Sequence, residues 1–315
     1  MAIGGNALLR AGQEPSAEAQ FENAMETALP LVELLKAGCG LVITHGNGPQ
    51  VGAALLRSEL GTGHAYALPY DCCVASTQGE IGYVLQYALW QQAQRVGLLV
   101  PVVTVVTQVR VDPHDPAFGR PSKPVGPFYT RDRADELQRE RGFAFVHDER
   151  AGSRRVVPSP RPHEIVELDA IRACLLEGLV VIAAGGGGVP VFNDKDTTKG
   201  VEAVIDKDLT SAVLAEQVGA DLFVILTAVD RVSLDRGTPR ERAVDRLSVA
   251  EARRHLEEGQ FPEGSMGPKI EAALLFLERG GREAIVTDAA HLVPAVEGRA
   301  GTHVVPDAPA LPRRP

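Results

Sequence analysis

At 315 residues the chain can bury a large core, as one big domain or two. A formal net charge of −9 argues against broad nucleic-acid binding, which needs a basic face, and leaves any phosphate site to a few local lysines, arginines and backbone N–H groups. Hydrophobic residues at 44% and charged residues at 23% are ordinary for a globular protein, no apolar run reaches the about eighteen residues of a membrane span, and no basic-then-apolar start marks secretion, so the cytoplasm is the expected compartment.

The first strand holds only Met1-Ala2-Ile3 before a glycine turn. A central strand usually has about five residues, so the start is expected to lack a few. A helix is predicted over 19–36, ending at Gly38, and a short buried strand over 41–44. Residues 49–60 read as a helix with proline at its first position, where a missing N–H is harmless. A long helix over 72–96 closes at Gly97, and a β-branched strand follows over 99–106.

Then the texture changes. Residues 112–127 carry Pro113, Pro116, Pro121, Pro124 and Pro127, followed by a charged helical run over 131–141 and strand-like pieces at 143–147 and 154–157. Pro158, Pro160 and Pro162 close the segment, which reads as an insertion with its own small fold. Within it, Ser122 to Tyr129 suits either a polyproline-like linker or a stiff arm carrying Lys123 over a site. The rhythm resumes with a helix over 164–177, strands at 179–184, 222–227 and 284–287, and helices at 209–218, 248–257 and 268–279. Such alternation implies a mostly parallel sheet with helices on both faces. The Pro- and Arg-rich tail from Pro306 is expected to fray.

Four glycine turns stand out: Gly4-Gly5-Asn6, Gly46-Asn47-Gly48-Pro49, Gly185-Gly186-Gly187-Gly188 and Gly264-Ser265-Met266-Gly267-Pro268-Lys269. The first three follow apolar runs, where an open α/β sheet binds its ligands and where glycine lets backbone N–H groups approach an anion. No G-x-x-x-x-G-K-[ST] occurs, and Gly46-Asn47-Gly48 with Gly52 is only a loose relative of the dinucleotide fingerprint. Lys207, between Asp206 and Asp208 at a helix start, opposes the helix dipole. Either the aspartates cap the helix and Lys207 is solvated, or the lysine holds a phosphate. Lys269 poses the same choice after Gly267-Pro268. Thr227-Ala228-Val229-Asp230-Arg231-Val232 ends a strand as a purine-pocket wall or a plain loop. His45 reads as structural, Cys72-Cys73 as two buried thiols at a helix start, and the four cysteines and eight histidines have no metal-ligand spacing.

These residues carry a resemblance. Gly4-Gly5-Asn6-Ala7-Leu8, Thr44 to Gly52, Gln78 to Tyr83, Lys123 to Tyr129, Arg154 to Pro160, the four glycines, Gly200 to Asp208 and Gly264 to Lys269 resemble the carbamate kinases, a branch of the amino-acid-kinase superfamily, nearly end to end. The proline-rich arm separates that branch from members carrying a lysine in the first strand, where this chain has none. The resemblance implies an open three-layer αβα sandwich with a mostly parallel sheet, one domain over 1–315, and a protruding lid or arm over 112–163. It implies a homodimer that transfers phosphoryl reversibly between ATP and carbamate, with Mg2+ held mainly by the nucleotide phosphates, serving arginine, agmatine or purine breakdown.

By the same resemblance, Lys123, Lys207, Asp208 and Lys269 are catalytic. Gly4, Gly5, Asn6, Gly46, Asn47, Gly48, Gly186 and Gly187 cradle carbamate and the transferring group, while Thr227, Val229, Asp230, Val232, Met266 and Gly267 face the nucleotide. The chain departs from its relatives at Ala228, where they often have aspartate, and over Cys72 to Thr77. Two rival readings are an amino-acid acyl-phosphate kinase and a ligand-sensing module on the same fold.

Overall fold

The computed structural model describes residues 1–5, 8–10, 12–148, 150–195, 197–262 and 264–307. Along the chain come β1 (Ala2–Ile3), α1 (Ala17–Lys36), β2 (Val42–His45), α2 (Gly48–Leu60), α3 (Tyr70–Arg95), β3 (Val102–Thr104) and β4 (Gln108–Val111). Next are β5 (Lys123–Tyr129), α4 (Arg131–Arg141), β6 (Ala144–Asp148), β7 (Gly152–Val157), β8 (Pro162–Ile165), α5 (Leu168–Leu176) and β9 (Val180–Ile182). They are followed by β10 (Val189–Asp194), β11 (Thr197–Gly200), α6 (Lys207–Gln217), β12 (Leu222–Leu226), β13 (Val232–Leu234), β14 (Arg242–Val244) and β15 (Arg246–Ser248). Last are α7 (Val249–Glu257), α8 (Gly267–Glu278), β16 (Glu283–Thr287), α9 (Leu292–Val296) and β17 (Thr302–Val305).

The main sheet has the order β15-β17-β16-β12-β1-β2-β9-β3 among the described residues, parallel except for the β16–β17 pair. Its strands are apolar on both faces, and neighbouring residues point to opposite layers. Ile3, Ile43, Val224 and Ile285 pack with Leu31 of α1, Leu85 of α3 and Leu292 of α9. Ala2, Phe223, Ile225 and Val286 pack on the other side with α6 and α8, where the Phe223 and Phe276 rings lie 5.6 Å apart. The expected αβα sandwich is thus present.

Local signals account for most helix ends. Ser16 caps α1 through Ala19 N–H, Thr130 caps α4, and Gly142 ends α4 at φ 68, the left-handed conformation that glycine adopts freely. Ser248 and Glu251 form a reciprocal capping box at α7.

Several expectations need correction. Residues 164–165 open the predicted helix but belong to strand β8, paired antiparallel with β4, and the helix starts only at Leu168. The strand expected over 99–106 is confined to Val102–Thr104. The segment Ser122 to Tyr129 is no polyproline linker: Lys123–Tyr129 is the edge strand of a sheet ordered β5-β7-β6. Proline is tolerated there because an edge strand has one side without ladder bonds. Cys72 is exposed, so only Cys73 is the buried thiol expected. The tail beyond Asp307 lies outside the described residues.

Candidate active site

Strands β12, β1, β2 and β9 are consecutive in the sheet and mutually parallel, so their carboxyl ends point the same way. The turns that follow them are therefore brought together: Thr227-Ala228 after β12, Gly4-Gly5 after β1, Gly46-Asn47-Gly48 after β2, and the four glycines after β9. This is the ligand edge of an open α/β sheet. A Cβ on Gly46 would stand 3.1 Å from the Gly5 nitrogen, so those two turns meet backbone to backbone. Asn47 is buried, donates to Thr77 Oγ1 at 2.9 Å, and fills the space a side chain on Gly186 would need. Gly187 is closed off by the Ile205 carbonyl, 2.4 Å from a Cβ built there, and its own carbonyl accepts from Thr210 Oγ1 at 3.0 Å. Asn6 lies outside the described residues.

The lysines converge on the first turn of α6. Asp206 caps that helix, its Oδ1 accepting from Asp208 N–H at 2.9 Å and Leu209 N–H at 3.4 Å. The capping expectation holds, but Lys207 is not solvated: its side chain is 15% exposed and its Nζ donates to Asp208 Oδ1 at 2.6 Å. Lys269, from the first turn of α8, donates to Asp208 Oδ2 at 2.8 Å. Lys123, from the start of β5, donates to Asp206 Oδ2 at 2.8 Å. Three cations from three elements are thus referenced to two carboxylates on one helical turn.

The electrostatics follow from burial. Burial alone would raise the Asp208 carboxyl, but Lys207 and Lys269 beside it hold it below the usual carboxylate range. Burial, helped by the charge of Lys269, pulls Lys207 below an ordinary lysine, and Asp208 opposes the shift. His45 is buried with Nδ1 3.1 Å from the Gly46 carbonyl; burial and, more weakly, the charge of Lys207 bring its imidazole down to about 4. It is neutral at physiological pH and structural in position.

Two cavities flank these charges. One of about 630 Å³ is lined by Gly4, Gly5, Thr227, Lys207, Lys269 and Ser265. The other, about 230 Å³, is lined by Gly46, Asn47, Gly48, Gly186, Lys123 and Arg154. Lys123, Asp206, Lys207 and Asp208 border both. The remaining nucleotide-side expectations are placed less directly. Val229 is half-buried and Asp230 exposed beyond Thr227. Val232 is wholly buried in the core behind α6. Met266 caps α8 with its side chain against that core, and Gly267 is buried beneath the Pro262 carbonyl.

Sequence reasoning left out four residues that shape the site. Asp206 was read only as a cap, because its bond to Lys123 spans 83 residues. Gln78 clamps Thr107 through its N–H at 2.8 Å and its carbonyl at 3.1 Å, and Thr107 Oγ1 accepts from Ala184 N–H at 2.8 Å ahead of the four glycines. Arg154, its Nε on the Gly126 carbonyl at 3.2 Å, lines the smaller cavity, and Arg10 the larger. The adjacent Arg154-Arg155 pair in the proline-rich segment was the signal available for one of them.

Comparison with known proteins places the chain in a family. The sequence profile of the amino acid kinase family matches residues 1–288. A carbamate kinase of Pyrococcus furiosus is 47% identical over 308 residues, covering 97% of this chain and 98% of the relative. A carbamate kinase of Thermococcus kodakarensis is 47% identical over 309 residues with the same coverage. Among solved structures, a carbamate kinase from Giardia lamblia bound to AMP-PNP superposes with a TM-score of 0.94 at 38% identity, covering 97% of both chains.

Proposed function

Given that this chain belongs to the amino acid kinase family, on its carbamate kinase branch, we propose that it catalyses reversible phosphoryl transfer between ATP and carbamate, giving carbamoyl phosphate and ADP. The observation that carries the reading is the convergence of Lys123, Lys207 and Lys269 on Asp206 and Asp208, between two cavities floored by glycine turns.

Phosphoryl transfer asks a protein for positioning and charge neutralisation more than for covalent chemistry. Lys207 and Lys269 would neutralise the transferring group and the nucleotide phosphates. Asp208 would keep both ammonium groups in place. Backbone N–H groups of Gly4-Gly5 and Asn47-Gly48 would bind the phosphoryl and carbamate oxygens, while that of Gly46 is taken by the Ile3 carbonyl at 3.1 Å. Lys123 and the smaller cavity would serve the carbamate side, and the Thr227 loop, Ser265 and Lys269 the nucleotide side. The 112–163 segment would act as the arm that covers the acceptor.

A kinase that uses ATP works with a divalent cation, proposed here as Mg2+. Asp206 and Asp208 are already engaged by lysines, which fits a cation held chiefly by the nucleotide's own phosphates. Such an ion would supply further neutralisation of phosphate charge.

The protein is further proposed to be a homodimer of the cytoplasm. Tyr83, Tyr87 and Trp90 are exposed on α3, with Phe21 of α1 edge-on to the two tyrosines, which suits a self-complementary contact. All four cysteines are free thiols, which suits a reducing compartment.

The test is luciferase-detected ATP formation from carbamoyl phosphate, ADP and Mg2+, with Lys207→Ala as control. Rapid ATP formation lost in the variant supports the reaction and the site together. No ATP from folded, ADP-binding protein would sink the assignment.

A further inference from the structure

We infer that Asp206 is a positioning residue that fixes the Lys123 ammonium over the site, so that the arm's cation is located by the body of the protein. The inference rests on the reaction proposed above and extends it to a residue with no role in it.

The two oxygens of Asp206 do separate jobs. Oδ1 accepts both N–H groups at the start of α6, and Oδ2 accepts from Lys123 Nζ at 2.8 Å. Capping does not require a charge, since serine and asparagine cap as well as aspartate does. The negative charge at position 206 therefore goes beyond what the cap needs, and the ion pair with Lys123 uses it. The carboxylate is 18% exposed, against 39% for the lysine side chain, so the anion is the better fixed partner. Behind it, residues Asp208 to Ala215 of α6 are all buried, which makes the helix a rigid reference.

Lys123 needs such a reference. It begins β5, which pairs with β7 on one side, and the pairing is interrupted between Val125 and Phe128. Strand geometry thus holds the Lys123 backbone from one side only, while a flexible four-carbon stem leaves the ammonium free to turn. Asp206 supplies the missing constraint. The arrangement separates the cations by partner: Lys207 and Lys269 belong to Asp208, and Lys123 to Asp206.

The test is a double-variant cycle with Asp206→Asn and Lys123→Met. Asparagine keeps an oxygen for the cap and replaces the lysine's acceptor with a neutral group. Asp206→Asn should lower kcat/KM for carbamoyl phosphate by about 10- to 100-fold, with KM for ADP within about threefold of the parent. Adding it to Lys123→Met should cost no more than about threefold beyond Lys123→Met alone. Hydrogen exchange without ligands gives a readout independent of the reaction. Amides of 123–129 should exchange faster to the same extent in both single variants and no faster in the double, with 209–217 as protected as in the parent. Independent multiplying losses, or parental exchange in Asp206→Asn, would overturn the inference. If the parent makes no ATP, the reaction reading fails, and the exchange cycle still decides the role of Asp206. Asp206→Ser, which also keeps a capping oxygen, replaces the asparagine variant should that one misfold.

Discussion

Lys269, in the first turn of α8, reaches Asp208, in the first turn of α6, with Nζ 2.8 Å from Oδ2 across 61 residues of chain. Lys207 occupies the other oxygen at 2.6 Å. The carboxylate is nearly inaccessible, with 6% of its side chain exposed, so two positive charges are kept close together only because a negative one lies between them.

Removing that negative charge should therefore damage both chemistry and fold. Asp208→Asn is expected to lower kcat by about 100- to 1000-fold. It should also destabilise the protein by about 3 kcal/mol, because it leaves two buried ammonium groups facing each other. Lys207→Ala and Lys269→Ala should lose similar activity but less stability, since each leaves a neutral pair. Steady-state kinetics alongside thermal melting check both halves, and losses of tenfold or less in all three variants would refute their assignment.

Neighbouring glycines should fail in different ways. Gly186→Ala, at φ +66, would push against the Asn47 side chain, and Gly187→Ala, at φ +94, would meet the Ile205 backbone carbonyl. Both carry backbone strain of about 1–3 kcal/mol. Only the first has a movable neighbour, and that neighbour lines the smaller cavity, proposed for the acceptor. Gly186→Ala should fold and lose kcat/KM for carbamoyl phosphate, whereas Gly187→Ala should show the larger fall in melting temperature. The reverse order would contradict the packing described.

His45 makes stability depend on pH. Its imidazole is neutral when folded, with its pKa brought down to about 4 from 6.5, so between those values the unfolded chain binds more protons than the native one. Stability is fully present above pH 6.5, falls as pH drops below it, and levels off near pH 4 as far as this residue is concerned. From pH 7 to pH 5 the loss should be about 2 kcal/mol. Denaturant unfolding of the parent and of His45→Asn at the two pH values measures it, and the variant should lose about 2 kcal/mol less than the parent.

A stability change remote from the site serves as a control. Ser248→Ala breaks the reciprocal cap of α7 and should cost about 1 kcal/mol in chemical denaturation. Its kcat should stay within about twofold of the parent. A larger fall would tie α7 to catalysis, which nothing in its position suggests.

The framework was legible because local rules governed it. Buried strands flanked by glycines and helices bounded by Gly38, Pro49 or Gly97 announce themselves within a few residues. Misreadings fell where distant contacts decide. Residues 164–165 become strand rather than helix because β4 lies beside them, and Lys123–Tyr129 pairs with β7 despite two prolines because that edge needs few donors. The hairpin of β10 and β11 went unread, since a strand beginning Val189-Pro190 and a polar partner of threonines give weak alternation. At the site, dipole arguments singled out Lys207 and Lys269, but the bond between Lys123 and Asp206 spans too much chain for any periodicity to reveal.

Val111 of β4 stands opposite Pro162 of β8 in an antiparallel pair, so the chain leaves the body and returns to it at one place. In topological terms the residues between are a graft on a closed stem. Their length and content can change without pulling on the strands that hold them, and doubling a flexible loop costs only about 0.6 kcal/mol in closure entropy. Lys123 travels with the graft, while Lys207, Asp208 and Lys269 stay on the stock. Descent or design can therefore change the setting of Lys123 by exchanging one contiguous stretch of gene, leaving Lys207, Asp208 and Lys269 where they are.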